Sequence, residues 1–316
     1  MKRTTHRLYL LFILLTIGVL LTVTACNRTE PPTQVTLKTG DTAKETTPVQ
    51  KVQPLRIGMG AMITPREGYV YYQRLQGYIE KKLGLPVQLV DRESYDEMNG
   101  LLESGGVDAA FVCAGPYVEG KVKFNLELLA MPLVKGKPVY YSYIIVHKDS
   151  SIASFKDLRG KVFAFADPKS NSGKLVPTYM LAKMKETPES YFSRVEYTYG
   201  HDKSIRAVAE NIVDGAAVDS LIWEYTAIKN PEITGQTRIV VKSDAYGIPP
   251  MVVRPGIDPE IKKRLKDILL SASNDPEGKE VLKGMMIDAF VAGDDKNYDS
   301  IRAMNAWIAR QRKMVK

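Results

Sequence analysis

The sequence predicts an α/β protein of two similar open lobes, on three observations. From Pro54 onward, short β-prone apolar runs alternate with stretches of helical spacing, which favours open α/β sheets. The order strand, helix, strand, helix, strand then occurs twice. It runs first as Leu55–Gly60, Pro65–Leu83, Pro86–Val90, Tyr95–Leu102 and Val107–Cys113. It runs again as Val162–Ala166, a helix from Ser172, Val195–Tyr199, Lys203–Asn211 and Ala216–Val218. The spacing echoes too: Tyr95 lies 12 residues before Val107-Asp108, and His201 lies 12 before Val213-Asp214 (107−95 and 213−201).

Ahead of these lobes the chain reads as an address and a tether. Lys2, Arg3 and Arg7 form a positive start, and the apolar run Leu8–Val23 is short of the roughly 20 residues a spanning helix needs. It ends Val23-Thr24-Ala25-Cys26, which resembles the lipobox of bacterial lipoproteins. That resemblance implies a signal over residues 1–25, cleavage before Cys26 and lipidation of its thiol; the competing reading is an uncleaved signal anchor with an incidental cysteine. Residues 26–53 are rich in Thr, Pro, Lys and Gln without apolar periodicity, and read as a disordered tether.

Charge and composition exclude several classes. The net charge of +8 falls to +5 once the three basic signal residues are removed, and those that remain are dispersed apart from Arg310-Gln311-Arg312-Lys313. With no nucleic-acid motif and an export signal, nucleic acid is excluded as a partner. Besides Cys26 the chain has only Cys113, which lies in a small-residue strand and reads as packing, although a pairing with His201 in catalysis is conceivable. No Cys/His cluster has metal spacing, so no metal or cofactor is expected.

The stretch Lys161–Met184 organises the rest. Its strand Val162–Ala166 is broken by Asp167-Pro168, and Ser170-Asn171-Ser172-Gly173 follows before helical spacing resumes. Ser172 reads as the N-cap and Pro177 falls near the first turn. No carboxylate occurs from Pro168 to Lys185, whereas Thr64-Pro65-Arg66-Glu67 and Ser94-Tyr95-Asp96-Glu97 read as helix starts closed by their own acid. An ordinary capped helix and a site for an external anion both fit the loop; the contrast with the other two starts points to the anion.

Tyr95 and His201 fall at helix starts beyond the C-terminal ends of strands, the crevice where open α/β sheets bind ligands. The run Tyr140–Val146 crosses to the second lobe and Gly247–Val253 returns, so two crossings make a hinge. The expected lobes are 54–147 with 242–316, and 148–241. Phe155–Leu158 reads as a short helical turn, Trp223–Lys229 as a helix and Ile239–Val241 as a strand. Helices Pro259–Ala272, Lys279–Met285 and Tyr298–Gln311 complete the first lobe.

Several of these residues, taken in order, resemble a known family. They are Tyr95 in ESYDEMNGLLESGGVDAAF, Gly115-Pro116-Tyr117-Val118, Tyr140-Tyr141-Ser142, DPKSNSGKLVP, Gly200-His201-Asp202, Val218-Asp219-Ser220 and Pro276-Glu277-Gly278-Lys279. Together they are similar to the phosphate/phosphite/phosphonate substrate-binding proteins of ABC transporters, over roughly Leu55 to Arg302. The resemblance implies a type II periplasmic-binding-protein fold and no enzymatic activity. Together with the anchor that the lipobox implies, it implies an extracytoplasmic protein that passes a small phosphorus oxyanion to an ABC permease and its ATPase. Ser170, Asn171 and Ser172 would then cradle the oxyanion through hydroxyl, amide and helix N–H donors, and His201 would donate to another oxygen. Tyr95 and Tyr140 would close from the first lobe, with Tyr141 the rival of Tyr140; Asp219 would accept from a protonated ligand oxygen or serve only as a loop-end carboxylate.

Members that take aminoethylphosphonate use further carboxylates around the ammonium. Here Gly247-Ile248-Pro249-Pro250 has none, so phosphite, phosphate or methylphosphonate is the expected ligand. Two rival classes remain. A ligand-sensing partner of a membrane histidine kinase would share the lobes, and a hydrolase would use Ser, His and Asp, although no Gly-x-Ser-x-Gly elbow is present.

Overall fold

Val, Ile and Phe runs bounded by turns form the buried strands, and amphipathic stretches between them form the covering helices. The computed structural model describes residues 53–60 and 66–314. The signal, Cys26, nearly all of the tether and the Thr64-Pro65 helix start lie outside the described residues. The helix that follows is in place as Arg66–Leu83.

Two sheets result. The first has six strands, in spatial order Ala289–Ala292, Glu127–Leu133, Met251–Val253, Ala109–Phe111, Leu55–Met59 and Val87–Asp91. Leu55–Met59 pairs parallel with both its neighbours, whereas Met251–Val253 runs antiparallel to Ala109–Phe111 and Glu127–Leu133. The second has five, in order Thr237–Lys242, Ser142–His147, Gly215–Asp219, Val162–Phe165 and Arg194–Tyr197. Here Val162–Phe165 is the parallel centre, and Ser142–His147 is antiparallel to both its neighbours.

The echo in the sequence is also an echo in hydrogen bonding. Asp108 accepts the Arg56 N–H at 2.9 Å and Asp214 accepts the Val162 N–H at 2.8 Å, each across 52 residues of chain. In return the N–H groups of Asp108 and Asp214 donate to the carbonyls of Arg56 and Val162. Each acid thus ties the start of one parallel strand to the start of its neighbour. In the first lobe Asp108 also binds the side chains of Arg56 and Arg254, at 3.1 and 3.0 Å.

The lobes meet at a hinge. Val139–Tyr140 pairs antiparallel with Tyr246–Gly247, with Tyr140 opposite Tyr246. Ser142–His147, expected on the first lobe's side of the crossing, is instead the strand between Thr237–Lys242 and Gly215–Asp219 in the second sheet. The chain therefore crosses at Val139–Tyr140. The last helix, Asp299–Met314, does more than complete the first lobe: Trp307 packs edge-on against Tyr179 of the Val176–Lys183 helix, with centroids 5.2 Å apart.

Other boundaries shifted modestly. The helix expected at Lys203–Asn211 is His201–Ala209, Trp223–Lys229 is Ser220–Lys229, and Lys279–Met285 is Pro276–Gly284. Strands Glu127–Leu133 and Ala289–Ala292 had no sequence expectation and close one side of the first sheet. Among the described residues no helix is long and apolar enough to cross a membrane.

Candidate functional site

The loop after Val162–Phe165 does not start a helix in the expected way. Ser170, rather than Ser172, is the cap: its Oγ accepts the Gly173 N–H at 2.9 Å. Asn171–Leu175 forms one wide π-type turn, with the Leu175 N–H bonding back to the Ser170 carbonyl at 2.9 Å. The regular helix begins at Val176, with Pro177 in its first turn. The extra backbone in that turn displaces Ser172 from the cap and turns it inward, where it is fully buried.

His201 stands at the start of its own helix and is also fully buried. Gly173 makes room for it, since a Cβ there would lie 3.0 Å from His201 Cε1 and 2.5 Å from Ala166 Cβ. Asn171 Oδ1, Ser172 Oγ and His201 Nε2 are all buried without a hydrogen-bond partner. Leaving such groups unsatisfied costs about 1–3 kcal/mol each, so they mark a place for something else. Ser172 is itself held by its carbonyl, which accepts from Ser142 Oγ at 2.6 Å.

The first lobe supplies the opposite wall. Tyr140, on the hinge and fully buried, accepts from Asn171 Nδ2 at 2.9 Å through its phenol oxygen. Its neighbour Tyr141 instead faces Lys242, whose Nζ sits 3.9 Å from the ring centre. Tyr95 opens the helix Tyr95–Ser104 and is buried. Cys113, the residue before the helix Ala114–Phe124, lies with its sulfur 3.9 Å from the Tyr140 hydroxyl. Backbone N–H groups of Asn171 and Gly115 both hydrogen-bond that sulfur. The thiol is therefore packed beneath the two residues that meet across the cleft, and burial raises its pKa.

Three further contacts join the lobes. Asp167 Oδ2 accepts the Tyr95 N–H at 3.1 Å, while its Oδ1 accepts the Lys169 N–H at 2.6 Å. Lys169 Nζ lies 2.7 Å from Glu119 and 3.7 Å from Asp96. Gly115 touches the loop so closely that a Cβ would come within 2.4 Å of the Lys169 carbonyl oxygen. The lobes are closed on one another here.

The electrostatics favour neutral groups and donors. Burial lowers the His201 pKa from 6.5 to about 3, so the ring is neutral. Its Nδ1 accepts the Asp219 N–H at 3.0 Å. Burial raises the Asp219 carboxyl from 3.8 to about 7, although it also accepts the Leu221 N–H at 2.8 Å and caps the next helix. Burial likewise pushes the Tyr95 and Tyr140 phenols well up, and the neighbouring Cys113 and Asp219 push them the same way.

Ser170, Asn171, Ser172, Tyr95, Tyr140, His201 and Asp219 therefore converge, with Ser170 acting as the cap. The loop's helix N–H groups are less available than expected, because Gly173 donates to Ser170 and Asn171 to Cys113. Sequence reasoning missed the positions of Cys113, Ser142 and Asp167 in this arrangement. Asp167 was visible as the acid bordering the loop; nothing local marked the other two. Among the described residues no group of His, Cys, Asp and Glu could hold a metal ion.

A sequence model of the family described as "ABC transporter, phosphonate, periplasmic substrate-binding protein" matches residues 57–298. The phosphonates-binding periplasmic protein of Escherichia coli K12 is 29% identical over 231 residues, covering 72% of this chain and 68% of that protein. The phosphate-import protein PhnD of Mycolicibacterium smegmatis is 29% identical over 234 residues, covering 71% of each. A crystal structure of a binding-protein component of an ABC phosphonate transporter from Pseudomonas aeruginosa superposes with a TM-score of 0.77 at 26% identity, covering 82% of this chain and 88% of that one. PhnD1 from Prochlorococcus marinus, solved with methylphosphonate, shares the fold with a TM-score of 0.74 at 18% identity, covering 81% and 98%. The fold is that of the type II periplasmic binding proteins.

Proposed function

This chain belongs to the family of periplasmic substrate-binding proteins of phosphonate ABC transporters, which are binding proteins and not enzymes, and on that premise we propose that it captures a small phosphorus oxyanion at the Ser170–Ser172 loop. Phosphite, phosphate and methylphosphonate are the ligands in view. The observation that carries this is the cluster of buried, unpartnered Asn171 Oδ1, Ser172 Oγ and His201 Nε2 on one side of a closed cleft.

Each residue has a definite part in that reading. Ser172 O–H and His201 Nε2–H donate to ligand oxygens, where charge-assisted bonds are the strong ones. Asn171 turns its amide over when the anion arrives, so that Nδ2 faces the ligand and Tyr140 O–H donates to Oδ1. Tyr95 closes from the first lobe. Asp219, whose carboxyl titrates at about 7, accepts a hydrogen bond from a protonated ligand oxygen. Ser170 holds the turn that aims Ser172.

No chemistry is done on the ligand. The anion stabilises the closed lobes through contacts it makes only there, and the closed form presents it to a membrane permease driven by an ATPase. Lipidated Cys26 keeps the body at the extracytoplasmic membrane face through the tether. A calorimetric screen of phosphite, phosphate, methylphosphonate and aminoethylphosphonate tests the reading. Binding of the small oxyanions supports it; submicromolar aminoethylphosphonate binding with none of the others sinks it. Release of a Cys26→Ala variant from membranes, against retention of the wild type, tests the lipid anchor.

A further inference from the structure

Two stretches of this chain hold no acid, and the fold packs them together. Residues 168–185 carry Lys169, Lys174, Lys183 and Lys185, and residues 300–316 carry Arg302, Arg310, Arg312, Lys313 and Lys316, with no Asp or Glu in either. The first supplies the helix Val176–Lys183 and the second most of the helix Asp299–Met314, which meet where Trp307 packs against Tyr179. Nine cations against a net +5 for the chain without its signal leave −4 for everything else (5−9). The protein's excess positive charge is therefore carried by this helix pair.

Within the pair the free charge gathers at one end. Lys169 is paired with Glu119, and Arg302 with Asp295 and Asp299. Lys183, Lys185 and Arg310 are exposed instead. Lys183 Nζ sits 4.3 Å from the centre of the Tyr179 ring, and Arg310 follows Trp307 by three residues, on the same helix face. Glu186, the next acid along the chain, is taken up by Arg159 and Ser190. Arg312 and Lys313 continue the basic run in the last turn of Asp299–Met314. These cations do little for an oxyanion at Ser170–Ser172. The eight-residue helix Val176–Lys183 puts about 12 Å between them and that loop, beyond the roughly 8 Å over which charges act in physiological salt. Half-buried Tyr and Trp rings among exposed Lys and Arg are instead the residue types that settle at a membrane interface, the rings at headgroup level and the cations on anionic headgroups.

We propose that this end of the helix pair is a docking face for anionic phospholipid headgroups, which lays the folded body against the membrane. That the membrane is at hand rests on the Cys26 anchor proposed above. With the body already held there, a face of modest affinity is enough to orient it.

The test uses the full-length lipoprotein with Trp223→Phe, which leaves Trp307 as its one tryptophan. It is reconstituted into phosphatidylcholine vesicles with rising phosphatidylglycerol and a headgroup spin-labelled lipid as quencher. Trp307 fluorescence should be quenched as phosphatidylglycerol rises. It should recover with added salt, because the screening length shrinks from roughly 10 Å at about 0.1 M to about 3 Å at about 1 M. Each Lys or Arg near such a surface is worth about fivefold in affinity. The triple variant Lys183→Gln, Lys185→Gln, Arg310→Gln should therefore dock on the order of a hundredfold more weakly, with thermal unfolding unchanged. Quenching that is equal with and without phosphatidylglycerol, or that the triple variant keeps in full, overturns the proposal. If that variant keeps its quenching yet loses solute uptake in cells, the face fits an acidic protein surface instead. Mass spectrometry of the same sample reads the anchor separately. A Cys26 without lipid ends the anchor reading, and the same vesicles added to the unanchored chain still decide the docking face.

Discussion

His201 and Asp219 are joined through main chain rather than side chain: the Asp219 N–H donates to His201 Nδ1 at 3.0 Å. An Nδ1 that accepts leaves the neutral ring's only proton on Nε2, the nitrogen buried without a partner. The fold thus fixes the tautomer, and burial keeps the ring from charging. The result is a neutral donor with a set direction, suited to an anion at any ordinary pH.

The two groups give opposite pH dependences of stability. His201 falls from 6.5 to about 3 on folding, so the unfolded chain binds more protons between those values. Its contribution is complete above about pH 6.5 and is lost as pH falls. Asp219 rises from 3.8 to about 7, so the native state binds more protons and the destabilisation grows as pH rises through that window. Asp219→Asn keeps the acceptor for the Leu221 N–H and removes the titration. Denaturant melts of the ligand-free proteins should show Asn stabilising at pH 8 and matching wild type near pH 4; a difference that does not change with pH contradicts the assignment.

Gly115→Ala should separate binding from folding. The added Cβ would lie 2.4 Å from the Lys169 carbonyl oxygen and 3.2 Å from the Asn171 nitrogen, both on the opposite lobe. Alanine in a helix is otherwise favoured over glycine by about 1 kcal/mol. Thermal unfolding should be unchanged or higher while ligand affinity drops at least tenfold, because the lobes cannot close. Unchanged affinity would show that closure does not need this contact.

Asp108→Asn should do the reverse. Burial pushes the Asp108 carboxyl up, but hydrogen bonds from Arg56 and Arg254 outweigh it and hold it below the ordinary value. The two arginine side chains remain about a third exposed, at 35% and 27%, which limits the loss to about 1–3 kcal/mol. Because the folded pKa is lowered, the lost stability is that present above the ordinary carboxylate range and fading in acid. Asp108 sits at the strand starts, away from the cleft, so ligand titration should give wild-type affinity. A binding defect would place it in the site.

Much of this fold was legible because it is written in local pattern. Val162–Ala166 formed a strand at Val162–Phe165, and Tyr95 and His201 open helices as the repeated spacing implied. The acid-free loop was visible by contrast with its neighbours. What was hidden depends on long-range packing. The wide turn that replaces Ser172 by Ser170 as the cap follows from fitting Gly173 against His201 and Ala166, contacts no window of sequence records. Cys113 read as filler because its role comes from Asn171 on the other lobe. Chain order puts Ser142–His147 on the first lobe's side of the hinge, whereas it joins the second sheet, because an antiparallel strand carries no mark of which sheet it joins.

The most direct measurement is a calorimetric titration of methylphosphonate into the wild type and into the double variant Asn171→Ala, Ser172→Ala. Hydrogen bonds to a charged group contribute about 1.5–3 kcal/mol each, so the account predicts a loss of several kcal/mol with the fold intact by circular dichroism. Equal affinity in the two proteins would contradict it, and would remove the anion from the loop before Leu175.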